Sequence, residues 1–216
     1  MIFPLKDKNP TESRPILTVG LIALNLGIFI YTYFSGSFHE IIATYGMRPA
    51  EIMAGERLFT LLTSMFLHGG WLHVIGNIWF LWIFGDNIED YLGKLRFLFF
   101  YFGVGYIASM THAYLNSFSN IPTIGASGAI AGVLGAYLVK YPRAKVYTLI
   151  FFFFFTIVEV PAFAFLGGWI GIQVLSGTLE MAAGVQGPTA YWAHIGGFVG
   201  GVLLIFLLGR KREKKH

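Results

Sequence analysis

Four polar side chains that could carry out acyl transfer stand in strongly apolar stretches of the chain. Ser127 lies in GASGAIAG, and His194 lies in AHIGG. His73 and Asn77 lie in HGGWLHVIGN, four residues apart, so they share one face of a helix. A serine hydroxyl becomes a nucleophile when a base lies within hydrogen-bond reach, and imidazole or amide N–H groups can stabilise an oxyanion. We therefore predict a Ser–His hydrolytic site.

The same residues also have a purely structural interpretation. His and Asn commonly form hydrogen bonds between membrane helices, and small residues allow such helices to approach closely. Gly197 and Gly201 follow His194 at +3 and +7 and so share its helix face. Packing through glycine accounts for those glycines but not for Ser127 and His194, which it would bring together.

A metal site is not predicted. His68 and His73 are five residues apart and face different directions, and no carboxylate lies beside them. The 216 residues include no cysteine, so a thiolate site is excluded as well. We expect no metal and no other cofactor.

The elements that position these residues are apolar helices. Hydrophobic residues make up 56% of the chain and charged residues 12%, against about 25% charged in an average soluble domain. We predict an all-α polytopic membrane protein with a six-helix bundle and a short central fourth helix. Its domains are a cytoplasmic N-terminal segment, 1–15, a six-span domain, 16–208, and a basic tail, 209–216. The predicted spans are 16–34, 60–85, 95–115, 126–140, 146–166 and 189–208.

The basic residues indicate how the spans are oriented. With six spans, 13 of the 15 Lys and Arg residues fall on one side, and only Arg48 and Arg57 fall on the other. Short cytoplasmic segments are rich in Lys and Arg, so both termini are expected in the cytoplasm. The net charge of +4 is therefore explained by topology, and nucleic-acid binding is not expected.

The candidate residues are also expected at one depth. Ser127, His73 and His194 precede the next charged residue on the cytoplasmic side by 13, 13 and 16 residues, or roughly 20–24 Å of helix. In a hydrocarbon core about 30 Å thick, all three lie several Å below the outer surface. Glu159, in the predicted fifth span, is a weak candidate to orient His194, so a Ser–His dyad is expected.

At this point the sequence resembles the rhomboid family of intramembrane serine proteases. The resemblance rests on HGGWLHVIGN, GASGAIAG and AHIGG, in that order on spans two, four and six. It implies that Ser127 is the nucleophile, that His194 is the general base, and that His73 and Asn77 are oxyanion donors.

The resemblance implies supporting features too. Gly125 and Gly128 would frame the nucleophile, Gly197 and Gly201 would let span six pack on span four, and His68 would be structural or a water ligand. It further implies a cavity open to the outer side, and a mobile span five with a lid loop, which we assign to 167–188. Phe59-Thr60 stands where many members have Trp-Arg, and Ala131 replaces a tyrosine of some members.

The leading functional hypothesis is a serine endopeptidase that cleaves single-span membrane proteins within the lipid bilayer. The alternative is a catalytically inactive rhomboid-like protein that binds or escorts membrane clients. We expect a multi-pass protein of a cell membrane, typical of a prokaryotic plasma or inner membrane. The sequence leaves the oligomeric state open.

Overall fold

The computed structural model describes residues 2–151 and 154–209. Most of these residues are helical, and a small sheet accompanies the helices. The predicted basic tail, 209–216, lies outside the described residues except for Gly209. The helices are α1 (Ile16–Phe34), α2 (Phe38–Tyr45), α3 (Pro49–Met53), α4 (Thr60–Thr63), α5 (Trp71–Leu92), α6 (Lys94–Leu115), α7 (Ser127–Lys140), α8 (Ala162–Ala183) and α9 (Tyr191–Leu208). The strands are β1 (Ile2–Asp7), β2 (Lys145–Phe151) and β3 (Phe155–Pro161).

The prediction of a helical membrane protein is confirmed in its coarse form. Among the described residues, α1, α8 and α9 are long and apolar enough to cross a membrane. The shorter apolar helix α7 has 14 residues and begins at Ser127. Helices α5 and α6 have 22 residues each, but they carry charged residues where they adjoin. The count of six spans remains a prediction.

The all-α prediction is wrong, because part of the predicted fifth span, 146–166, forms a β-hairpin. Strands β2 and β3 pair antiparallel from Lys145↔Pro161 to Phe151↔Phe155. This stretch is rich in β-branched and aromatic residues, which suit a strand, and hydropathy alone does not separate such a stretch from a helix. The helix begins only after Pro161, a residue that is favourable at a helix start.

The predicted lid loop, 167–188, is corrected in the same way. Most of it belongs to α8, which continues to Ala183 and ends at Gly184 in the left-handed conformation. The connection to α9 is therefore only 184–190. The second predicted span, 60–85, is also divided, since α5 begins at Trp71 after a non-helical turn.

The N-terminal segment completes the sheet. Strand β1 pairs antiparallel with β2, from Ile2↔Ile150 to Asp7↔Val146, giving the order β1-β2-β3. Strand β1 also lies against α5, where the indole N–H of Trp79 donates to the Pro4 carbonyl at 2.7 Å. Residues 2–7 are therefore part of the packed structure.

Helix α7 is the centre of the bundle and packs most closely on α9. A Cβ built on Gly197 would lie 2.0 Å from the Gly128 carbonyl oxygen, and one on Gly201 would lie 1.9 Å from that of Gly132. Such distances mean that the two helices touch through backbone, which only glycine permits. Because Ser127 begins α7 and His194 lies in the first turn of α9, this packing brings the two residues to the same end of the bundle.

Candidate active site

The turn before α7 presents Ser127 beside His73. Gly125 has φ +123°, a conformation that favours glycine, and its N–H donates to the Ser64 carbonyl at 2.9 Å. A Cβ at position 125 would lie 2.6 Å from Nε2 of His73. Glycine is therefore required here both for the backbone angle and for the approach of the imidazole.

Ser127 and His194 are joined by a hydrogen bond. The serine Oγ lies 2.8 Å from His194 Nε2. The other ring nitrogen, Nδ1, lies 2.7 Å from Oε1 of Gln173 on α8. Both nitrogens of this half-buried imidazole therefore have a side-chain partner, one on α7 and one on α8.

His73 is held with one nitrogen available to donate. Its Nδ1 accepts the Gly69 N–H at 3.3 Å, so the proton of the neutral ring resides on Nε2, which faces Gly125. Asn77 donates one amide N–H to the His73 carbonyl at 2.9 Å. His68 is buried and packs edge-on against the His73 ring, with ring centroids 5.0 Å apart.

Ser127 borders a large cavity and a smaller apolar one. The larger has a volume of about 800 Å³, and its lining includes His73, His112 and His194. A smaller one, of about 250 Å³, lies between α5, α7 and α8 and is mostly apolar. Asn77 faces this smaller cavity. The smaller cavity is lined by Leu72, His73, Gly76, Asn77, Phe80, Ser127, Ile130, Ala131, Leu134 and Trp169.

Comparison with protein families decides the membership of this chain. Residues 55–211, which include all the candidate site residues, match the Rhomboid domain family. The chain belongs to the rhomboid family. Members of this family are usually intramembrane serine proteases that act on membrane proteins within the bilayer.

Curated relatives include bacterial and mitochondrial rhomboid proteins. The putative rhomboid protease YdcA of Bacillus subtilis (strain 168) is 30% identical over 214 residues, which cover 94% of this chain and 92% of the relative. Rhomboid protease GluP of the same organism is 31% identical over 146 residues, or 64% of this chain. Presenilin-associated rhomboid-like protein A, mitochondrial, of Danio rerio is 28% identical over 94% of this chain. The matches span only 28% and 51% of the latter two relatives.

Two residues on α8 of this rhomboid protein were missed from the sequence. Gln173 contacts His194, and the Trp169 ring lies 5.9 Å from the His194 ring between centroids. Trp169 and Gln173 are four residues apart, so they share a helix face. That spacing could have indicated them, but most of α8 was assigned to a loop.

The first loop of this rhomboid protein is anchored by Arg57. Its guanidinium donates to Glu51 at 3.2 Å and to the Thr44 carbonyl, and it lies over the Phe59 ring at 5.8 Å. Thr60 is buried and donates to the Arg57 carbonyl at 2.8 Å. Arg57 therefore connects the beginning, middle and end of this loop.

The interpretation of Glu159 as a residue that orients His194 is wrong. Glu159 lies on β3, where its carboxylate accepts from Lys145 at 2.7 Å and from Lys8. These two hydrogen bonds lower the pKa of Glu159 to about 2. Across the described ranges, no group of three or more His, Cys, Asp or Glu side chains could hold a metal ion.

Proposed function

We propose that this rhomboid protein is an intramembrane serine protease that uses a Ser127–His194 dyad. The observation that carries the proposal is the 2.8 Å contact between Ser127 Oγ and His194 Nε2, on the wall of a cavity of about 800 Å³. A nucleophile paired with a base, beside space for a substrate, is the arrangement that acyl transfer requires.

The reaction follows from the two contacts. His194 Nε2 takes the hydroxyl proton as Ser127 Oγ bonds to the carbonyl carbon of the scissile peptide. The resulting imidazolium then gives this proton to the departing amine nitrogen as the C–N bond breaks, which leaves an acyl-enzyme. A water molecule attacks the ester, His194 accepts its proton, and return of that proton to Oγ releases the carboxylic acid.

The negative charge that develops on the carbonyl oxygen needs donors near Ser127. The Nε2–H of His73 is one, because Nδ1 is occupied by the Gly69 N–H. Asn77 has a second amide N–H besides the one bound to its own helix. The first N–H groups of α7 lack intrahelical partners, so their partial positive charge also favours an oxyanion.

The substrate class is proposed to be single-span membrane proteins. The smaller cavity supports this proposal, because it reaches Ser127 between α5 and α8 and is mostly apolar. An extended apolar segment would fit such a surface better than a polar soluble peptide.

The topology is proposed to comprise six spans, namely α1 and α5 to α9, in a cell membrane with both termini cytoplasmic. The support is the concentration of Lys and Arg in the segments that this arrangement leaves on one side. The cavity at Ser127 would then open towards the outer side.

The test is cleavage of a model single-span substrate in liposomes. Ser127→Ala and His194→Ala should each lower the turnover rate by at least about 10³-fold, because each removes a member of the catalytic unit. Ser176→Ala on α8 is the matched control and should retain normal turnover.

Two results would contradict the proposal. Turnover by Ser127→Ala at the wild-type rate would exclude the serine mechanism. Failure of a fluorophosphonate to label the folded wild-type protein, with no cleavage, would favour the inactive client-binding alternative.

A further inference from the structure

One face of α8 packs against the face of α9 that carries His194. The residues of α8 at this contact are Trp169, Gln173 and Gly177, spaced by four. A Cβ on Gly177 would lie 3.1 Å from Cβ of Tyr191, so the two helices approach closely there. One turn away, Gln173 is 9% exposed and lies opposite His194. The buried amide therefore occupies a defined place in a helix contact.

The other end of this contact is aromatic. The Trp169 ring lies 5.9 Å from His194 and 6.3 Å from Phe198, measured between ring centroids. A buried amide beside aromatic rings is costly unless it is hydrogen-bonded, and the partner of Gln173 is His194 Nδ1 at 2.7 Å.

The tautomer of His194 decides whether it can act as a base. A neutral imidazole carries one N–H and one bare nitrogen. To accept the Ser127 proton, Nε2 must be bare, so the N–H must reside on Nδ1 and needs an acceptor there. The carbonyl oxygen of the Gln173 amide lies at that position.

We propose that Gln173 is the positioning residue of the dyad: its amide oxygen accepts the Nδ1–H of His194 and so directs a bare Nε2 at Ser127. This inference rests on the proposed protease function. The contact also strengthens when His194 becomes an imidazolium, since a charged donor makes a stronger hydrogen bond than a neutral one. The proposal therefore predicts an effect on turnover rather than on substrate binding.

The electrostatic surroundings of His194 make a neutral acceptor significant. The titratable groups that act on His194 from the other helices are His73 on α5 and His112 on α6. Ser127 and Gln173 are the uncharged polar contacts from α7 and α8. The amide thus takes the place that a carboxylate occupies in a three-residue serine site.

The kinetic test compares an acceptor with an apolar residue of similar size. Gln173→Leu should lower kcat by roughly 10- to 100-fold, part of the 10²–10⁴ that a general base contributes, and change KM by less than about twofold. Gln173→Glu retains the acceptor and should recover most of kcat at alkaline pH. Thr178→Val on α8 is the control for replacing a polar residue in this helix.

The pH profile separates a positioning role from a packing role. Activity should fall as the pH is lowered, because protonated His194 cannot act as a base. A carboxylate at position 173 stabilises the imidazolium, so this fall should begin at a higher pH in Gln173→Glu than in the wild type. Gln173→Leu removes the acceptor and should shift that fall to lower pH. Equal kcat losses in both variants with unmoved profiles would overturn the proposal.

A second measurement does not depend on turnover. Nitrogen-15 NMR of labelled histidines, with His194→Ala for assignment, reports which ring nitrogen carries the proton. We expect a protonated Nδ1 in the wild type and in Ser127→Ala, and a mixed tautomer in Gln173→Leu. An unchanged tautomer in Gln173→Leu would refute the positioning role, whereas an active Ser127→Ala would refute only the serine mechanism.

Discussion

The two ends of α7 use polar side chains in different ways. At its start, Ser127 lies beside a cavity and contacts His194 at 2.8 Å, and Gln173 contacts the other nitrogen of that ring. About three turns later, Tyr137 donates to the carboxylate of Asp7 at 2.5 Å, and Asn87 donates to the same oxygen at 3.0 Å. The first end borders a cavity of about 800 Å³, whereas at the second end the Tyr137 hydroxyl is bound to Asp7 of the same chain.

The second end is also where the charged residues hold elements together. Glu89 is buried and accepts the backbone N–H groups of Leu17 and Thr18 at 3.0 and 2.7 Å, which caps the start of α1. Glu159 joins β3 to Lys145 on β2 and to Lys8 beyond β1. These carboxylates connect segments that are distant in sequence.

The difference shows that an ionisable residue in an apolar chain is not by itself a functional residue. The carboxylates of Asp7, Glu89 and Glu159 at the second end accept hydrogen bonds from other segments of the chain and so contribute to stability. The candidate catalytic side chains of Ser127, His73 and His194 border a cavity instead. Substitutions at the two ends should therefore separate activity from stability.

The largest expected effect of this kind is at the first end. His73→Ala removes the proposed oxyanion donor and should lower kcat by about 10²–10³-fold, as removal of such a donor typically does. The thermal unfolding temperature in detergent should change little, because the side chain borders a cavity. Parallel loss of stability and activity would mean that His73 is a packing residue.

The next largest effect is expected at the second end of α7, where a substitution should lower stability and leave turnover nearly unchanged. Tyr137→Phe removes the hydroxyl that binds the Asp7 carboxylate and should lower the free energy of unfolding by about 1.5–3 kcal/mol. Turnover should stay within about twofold of the wild type. Tyr106→Phe, at a side chain exposed on α6, is the matched control for loss of a hydroxyl. A tenfold fall in kcat for the folded Tyr137 variant would contradict the division between the ends.

The candidate site was more predictable from sequence than the fold around it. A polar group inside an apolar helix is energetically costly, so such positions are few and are good candidates for function. Ser127, His73 and His194 are among them. Helix geometry then predicts a common depth for them from the count of residues. That reasoning needs no knowledge of which helices touch.

The helix of the predicted fifth span, α8, could not be located in the same way. Residues 146–160 and 162–183 are both apolar, and hydropathy does not decide which of them is the helix. The sheet depends on pairing between β2 and β1, which are separated by more than a hundred residues. Because the helix was placed too early, Gln173 was assigned to a loop and its contact with His194 was missed.

The smallest expected effect tests whether Glu159 is purely structural. Hydrogen bonds from Lys145 and Lys8 hold the pKa of Glu159 at about 2, below its ordinary 4.5, so its stabilising effect is present above pH 4.5 and is lost as the pH falls towards 2. Glu159→Gln should therefore unfold at a slightly lower temperature than the wild type at pH 7, and the difference should shrink as the pH falls from 4.5 through 2. Glu40→Gln on α2 is the control. A difference in unfolding temperature that is independent of pH would mean that packing, not charge, links β3 to Lys8. A loss of turnover in folded Glu159→Gln would mean that a carboxylate at the second end takes part in catalysis.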